Sequence, residues 1–325
     1  MRATLAGSLL VTLARPSTWV LALAAFLVRG GLLVFVIPIV VIPTPAGLAD
    51  VVGPLLISFV FGGVSPAFVA VVATAVVVFL VWLIGGGLLA ATAEVELIRV
   101  VATDEDVTTG TPLPNGARDG RVAARILAAR LVAMLPFAAA LAFGTTTIVA
   151  ATYRELTLPG DAATPIAWRV LRSVPLTVLL VLATWLLGEI LGGLAARRIV
   201  LEGRPAGGGL RRALGGVVRR PFRTLVVFAV PSLGLLFAVV PSVAAASAAW
   251  HAVQVGLSTG DPLATVTSVV AFVALWAGGL VLAGVACAWR HAAWTVDARR
   301  SVAPSSAVGS DPNGDWNPRL TSGTL

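Results

Sequence analysis

Six runs of about twenty apolar residues constrain this chain more than any motif in it. At 1.5 Å per residue such a run covers the ~30 Å hydrocarbon core of a bilayer, and a helix satisfies all of its backbone polar groups internally. The runs read as membrane helices over residues 19–42, 68–91, 131–151, 175–195, 224–244 and 266–289. A mean hydropathy of +0.97, with 58% hydrophobic against 12% charged residues, excludes both a water-soluble globular fold and a disordered chain. In 325 residues, six crossings leave no stretch for a separate soluble domain. The expectation is an all-α polytopic membrane helix bundle, one domain over 1–300, followed by a disordered cytoplasmic tail, 301–325, rich in Ser, Pro, Gly and Asp.

The charge pattern gives orientation. All 23 basic residues are arginine, and the formal net charge is +8. Two arginines precede the first helix, five lie between the second and third, eight between the fourth and fifth, and four follow the sixth. The connections from one to two and from five to six have none, while that from three to four carries Arg154, Arg169 and Arg172. By the positive-inside bias both termini are cytoplasmic, the three arginines before helix four being the one element against it. Arginines that flank apolar runs in this way speak for a membrane surface and against a nucleic-acid partner. The all-arginine usage and the Ala, Val, Gly and Leu richness point to a GC-rich coding sequence and a bacterial cell membrane. Residues 1–31 are expected to enter a membrane helix rather than to be a signal peptide, because Arg15-Pro16 breaks the apolar run and it continues past Arg29.

An internal repeat organises the runs into three hairpins, at about 1–102, 120–203 and 208–298. Arg15-Pro16 and Arg220-Pro221 precede helices one and five, each after a short stretch, 5–13 or 210–218, that suits an interfacial amphipathic helix; 122–129 before Arg130 is the middle copy. Trp82, Trp185 and Trp276 are each followed three residues later by a glycine. Arg15 to Trp82 is 67 residues, against 55 from Arg130 to Trp185 and 56 from Arg220 to Trp276, and the apolar segment 51–61 accounts for the excess. Gly85, Gly188, Gly192 and Gly279 are expected to let the even-numbered helices pack closely.

Two charges fall inside the apolar runs, Arg29 on helix one and Glu189 on helix four, both roughly 12–15 Å from the basic side at 1.5 Å per residue. An unpaired charge there costs several kcal/mol, so the two are expected to form an intramembrane ion pair. Outside the runs, Glu94, Glu96, Asp104, Glu105 and Asp106 make the stretch after helix two acidic, and Arg197, Arg198 and Arg204 begin a basic one after helix four. Arg211, Arg212, Arg219, Arg220 and Arg223 continue it and are the candidate contacts to anionic lipid headgroups, at roughly 1 kcal/mol each. A loop-to-loop contact or a protein partner would use the same face.

Catalytic chemistry finds little to stand on. His251 and His291 sit at no ligand spacing, and Cys287 is the only cysteine, so no metal or cofactor is expected. The phosphate-binding glycine loops of nucleotide enzymes are missing. Gly256-Leu257-Ser258-Thr259-Gly260 matches GxSxG with His251 and Asp261 nearby, but a nucleophile elbow needs a strand before its serine and the third outer loop offers none. Tyr153-Arg154-Glu155 and Asp161 read as a solvated loop, with an interfacial segment at 162–174 anchored by Trp168.

An interfacial helix, an Arg-Pro helix start and glycines near the end of the partner helix, as in Arg220-Pro221 and Trp185 to Gly193, resemble the uncharacterised six-helix bacterial membrane proteins. That group includes the membrane domain attached to some glycerophosphodiester phosphodiesterases. The resemblance covers most of 1–300 and implies fold and location only. The catalytic domain of those enzymes, with its His and carboxylate metal site, has no counterpart here. Two function classes follow. The first is a non-catalytic scaffold or accessory subunit, contacting headgroups or a partner through its basic face. The second is a carrier or permease subunit with a site near Arg29 and Glu189.

Overall fold

The computed structural model describes residues 2–40, 65–109, 119–157, 164 and 166–300, and all secondary structure among them is helical. The apolar segment 51–61, Asp161 and the tail 301–325 lie outside the described residues. Helix α1 (Arg2–Ala14) leads into α2 (Pro16–Val36), which passes through a π turn at Leu27–Gly31. Helix α3 runs from Pro66–Val81 through a second π turn, Trp82–Gly86, into Gly87–Thr109. Then come α4 (Asp119–Ala133), α5 (Leu135–Thr157), the short α6 (Ile166–Ser173) and α7 (Pro175–Glu202). The chain closes with α8 (Ala206–Arg219), α9 (Pro221–Thr259) and α10 (Pro262–Arg300). Helices α2, α3, α5, α7, α9 and α10 are each long and apolar enough to cross a membrane.

Pro16, Pro175 and Pro221 stand in the first turn of α2, α7 and α9, where a missing N–H breaks no helical hydrogen bond. The stretches expected to be interfacial are helical, as α1, α4 and α8. Their environments differ: α4 turns Val122, Ala123, Ile126 and Ala129 into a core with Ala91, Val95, Ile98, Ala195, Ala196 and Ile199. Helix α8 adds Ala213 to that core, packs Ala206 and Leu210 against it, and leaves its arginines outside. Helix α1 lies against α10, where the Trp289 indole N–H donates to the Leu5 carbonyl at 3.3 Å.

Helices α3 and α7 outrun the ends expected at 91 and 195, reaching Thr109 and Glu202. The reason is amphipathic continuity: Ala91, Val95, Ile98 and Ala102 repeat at helical spacing and are buried on one face. This end of the bundle, built from the C-terminal halves of α3, α7 and α10 with α4, holds the main core. The opposite end has less burial, with a small cluster of Ala246, Val253 and Phe272 between α9 and α10. No residue of α3 between Pro66 and Val81 is buried, and none of α7 between 178 and 187 is.

The connection between α9 and α10 is shorter than the sequence implied. His251 and Ser258 both belong to α9, and the Ser258 hydroxyl donates back to the Val255 carbonyl at 2.8 Å. Gly260, at φ 69°, takes the left-handed conformation that ends the helix, and Asp261 accepts the N–H groups of Leu263 and Ala264 at 3.0 Å to start α10. The GxSxG string is therefore a helix end and a tight turn, without the strand a nucleophile elbow needs.

Candidate functional site

Glu94 organises the most unusual feature of the molecule. It lies on α3 with no exposed side-chain surface and faces three guanidinium groups. Arg29 from the π turn of α2 pairs with Oε2. Arg130 from the end of α4 binds both oxygens through Nη2, at 2.8 and 2.9 Å, and Oε2 through Nε at 3.2 Å. Arg197 from α7, also fully buried, reaches Oε1 at 3.2 Å and donates to the Gly193 carbonyl at 2.6 Å. Its Nη2 lies 3.0 Å from His291 Nδ1. Since a guanidinium has no acceptor, Nδ1 accepts there, which makes the imidazole neutral with its proton on Nε2.

A second carboxylate extends the cluster. Glu189 Oε1 accepts from Arg290 of α10 at 3.2 Å, and its Oε2 is 3.6 Å from Arg130 Nη1. Trp294 closes one side, its ring centroid 4.9 Å from the Arg197 guanidinium carbon and 5.7 Å from that of Arg290. Burial alone would lower the pKa of Arg130, yet the facing Glu94 and Glu189 carboxylates outweigh it and hold that guanidinium more firmly protonated than a free one.

The expected Arg29–Glu189 pair is not among the ion pairs of the described residues. Arg29 goes to Glu94, and Glu189 goes to Arg130 and Arg290. Both do belong to one cluster, linked through Arg130. Helix-depth arithmetic found two of its members and missed Glu94, Arg130, Arg197, Arg290 and His291, because the helices were expected to stop short of those residues. The signal available was the helical spacing of apolar residues around Glu94 and Arg197. The anticipated contact between the acidic stretch after helix two and the basic stretch after helix four exists as the buried Glu94–Arg197 pair.

The glycines divide. A Cβ on Gly188 would meet Met134 Sδ at 2.8 Å and the Ala133 carbonyl at 3.0 Å, one on Gly192 the Arg130 side chain at 3.1 Å, and one on Gly279 Ser242 Cβ at 2.7 Å. These three allow close approach, but to the α4–α5 junction and α9 rather than between the even-numbered helices. Gly85 has open space around its missing Cβ; Gly86, facing Val28 at 3.2 Å, takes that role.

A basic pocket of about 650 Å³ is lined by Arg198 of α7, Arg204 before α8, Arg211, Arg212 and Arg219 of α8, and Arg220 and Arg223 at the start of α9, with Asp297 of α10 the one acidic residue. Glu202 engages Arg198 at 2.6 Å and also pairs with Arg204, while Asp297 pairs with Arg223 at 2.6 Å. No ion pair with a described residue uses Arg211, Arg212, Arg219 or Arg220, and all four are exposed. All five residues expected to contact headgroups thus line one concavity. Four unpaired guanidinium groups around one open space can bind a phosphate through several charge-assisted hydrogen bonds.

Among the described residues no group of His, Cys, Asp and Glu side chains has a metal-binding arrangement. Comparison with known proteins gives no match: no family model, no curated protein and no solved structure is similar to the chain.

Proposed function

We propose that this chain is a non-catalytic multi-pass protein of a bacterial cell membrane, a scaffold or accessory subunit that holds the phosphate-bearing headgroup of an anionic lipid in its arginine pocket. In this reading the six apolar helices span the bilayer as three hairpins, both termini are cytoplasmic, and α8 lies at the inner interface. One observation carries the proposal: seven arginines against one aspartate around a single concavity of about 650 Å³. Around this site lies no nucleophile–base pair, and the GxSxG serine lies in a helix on another part of the chain. The diesterase-linked membrane domains remain a resemblance in motif that bears on architecture alone.

The test uses the full chain in nanodiscs, comparing melting temperature in purely zwitterionic lipid with that in lipid containing phosphatidylglycerol. Anionic lipid is expected to raise the melting temperature, and R211Q/R212Q/R219Q/R220Q to lose most of that rise. At roughly 1 kcal/mol per arginine each substitution weakens headgroup binding about fivefold. An equal rise in wild type and variant refutes the pocket as the site.

A carrier or permease subunit is the second reading, favoured by the four arginines gathered beside a π turn in α2. It predicts flux of an anion into proteoliposomes that R29Q abolishes; a tight bilayer with wild-type protein present contradicts it.

A further inference from the structure

The buried cluster is not electrically balanced. It gathers four guanidinium groups, of Arg29, Arg130, Arg197 and Arg290, around the two carboxylates of Glu94 and Glu189, with His291 neutral. Two positive charges are left over at a place the apolar helices would hold in lipid. A buried charge without a counter-charge is far costlier than a surface one. The hydrogen-bonding capacity is unfilled as well: the Nε of fully buried Arg197 has no partner. Four guanidinium groups offer about twenty N–H donors, and two carboxylates cannot accept from all of them.

The surplus has a direction. Glu94 and Arg197 are sealed, whereas the side chains of Arg29, Arg130, Glu189 and Arg290 keep between 12% and 22% of their surface. The accessible edge of the cluster therefore carries three cations and one carboxylate. Glu189 adjoins the stretch of α7, 178–187, in which nothing is buried, and Arg29 sits in the π turn beside Gly30, whose φ of 112° breaks the helix there. Interruptions of this kind present polar groups at membrane depth and recur at functional sites.

We propose that this edge is a second anion site, in which one phosphate-bearing anion bridges Arg29, Arg130 and Arg290 and neutralises the excess charge. Phosphate suits the site because a singly or doubly charged tetrahedral group accepts from several guanidinium forks at once. The site is separate from the arginine pocket, to which Arg29, Arg130 and Arg290 contribute nothing.

The experiment is done in the R211Q/R212Q/R219Q/R220Q background, which removes most of the interfacial pocket's response, and R290Q, outside that pocket, separates what remains. Full-length protein in zwitterionic nanodiscs is titrated with inorganic phosphate, and in parallel short-chain phosphatidic acid is supplied in the lipid, with melting temperature as the readout. A residual rise is expected in at least one arm. R290Q should weaken the apparent affinity about tenfold or more, and R290K, which keeps the charge but not the fork, by less. A response to inorganic phosphate identifies a free anion reaching the site through water; a response to phosphatidic acid alone identifies a lipid headgroup arriving from the bilayer. No residual rise in either arm overturns the proposal, as does a rise that R290Q leaves intact. Native mass spectrometry of the R211Q/R212Q/R219Q/R220Q variant supplies a second readout: one phosphate-bearing adduct per chain is expected, lost when R290Q is added, and its persistence with R290Q contradicts the assignment. Loss of the interfacial response without loss of this adduct separates the two sites.

Discussion

Glu94 is the residue on which the others depend. It is the only carboxylate that Arg29 and Arg197 pair with among the described residues, and Arg130 shares it with Glu189. Removing one partner of a buried ion cluster leaves the others uncompensated, at a cost of about 3–5 kcal/mol. E94Q is therefore expected to destabilise the protein by that amount, and E189Q by less, since Glu189 is partly exposed and pairs with two cations instead of three. Unfolding in detergent or bicelles measures both; equal losses contradict the ranking. A double-mutant cycle refines it: coupling between Arg29 and Glu94 should reach about 1–3 kcal/mol, and that between Arg29 and Glu189 should be small. Depth along a helix was legible from the sequence and put Arg29 and Glu189 on two of the long apolar helices, where the structure also has them. Partner choice was not, because it depends on which helix faces which, and Glu94, read as part of a loop, was a candidate only for a loop-to-loop contact.

At the scale of elements, the π turn of α2 and the amphipathic α8 do the positioning. Gly30 has φ 112°, a conformation with a steric cost for any L side chain of about 1–2 kcal/mol. G30A has open space for its Cβ, so strain alone is expected to act, loosening the π turn that presents Arg29. The expected outcome is a melting temperature lowered by a few degrees, with a smaller further loss on adding R29Q than R29Q causes alone. Full additivity would mean that the turn does not hold the arginine. Short helices before proline-started long ones could be read directly, since an Arg-Pro step and a preceding amphipathic run are local signals. Helix ends were harder. Residues 92–109 and 196–202 contain charges, and composition alone ends the helix there, while the buried faces of Val95, Ile98 and Ile199 show why it continues. Gly193, which the sequence offered only as one of several glycines, is fixed by the Trp294 ring against its Cα, so G193L is expected to disrupt the α7–α10 contact beside Arg197.

For the whole molecule, the asymmetry between a densely packed end and an end with less burial is the feature with functional weight. The dense end gathers the main core, the ion cluster and the arginine pocket, so that the proposed headgroup site and the buried charge cluster share the same helices, α7 and α10. Six apolar runs made the helix count legible, and the arginine distribution pointed to the basic face. That those arginines surround one concavity depended on α8 folding back against α7, with Gly209 set against Ile199, a contact between segments ten residues apart through the turn at Gly203. Electrostatic binding there should weaken with ionic strength, because exposed guanidinium groups are screened within about 8 Å at physiological salt, whereas the cluster inside should be indifferent to it.

The central claim is that the arginine pocket holds an anionic headgroup, and native mass spectrometry of the full chain released from mixed-lipid nanodiscs tests it most directly. Wild-type protein is predicted to keep phosphatidylglycerol in preference to phosphatidylcholine, and R211Q/R212Q/R219Q/R220Q to lose that preference while remaining folded. Equal retention of the two lipids by wild type, or an unchanged preference in the variant, would contradict the account.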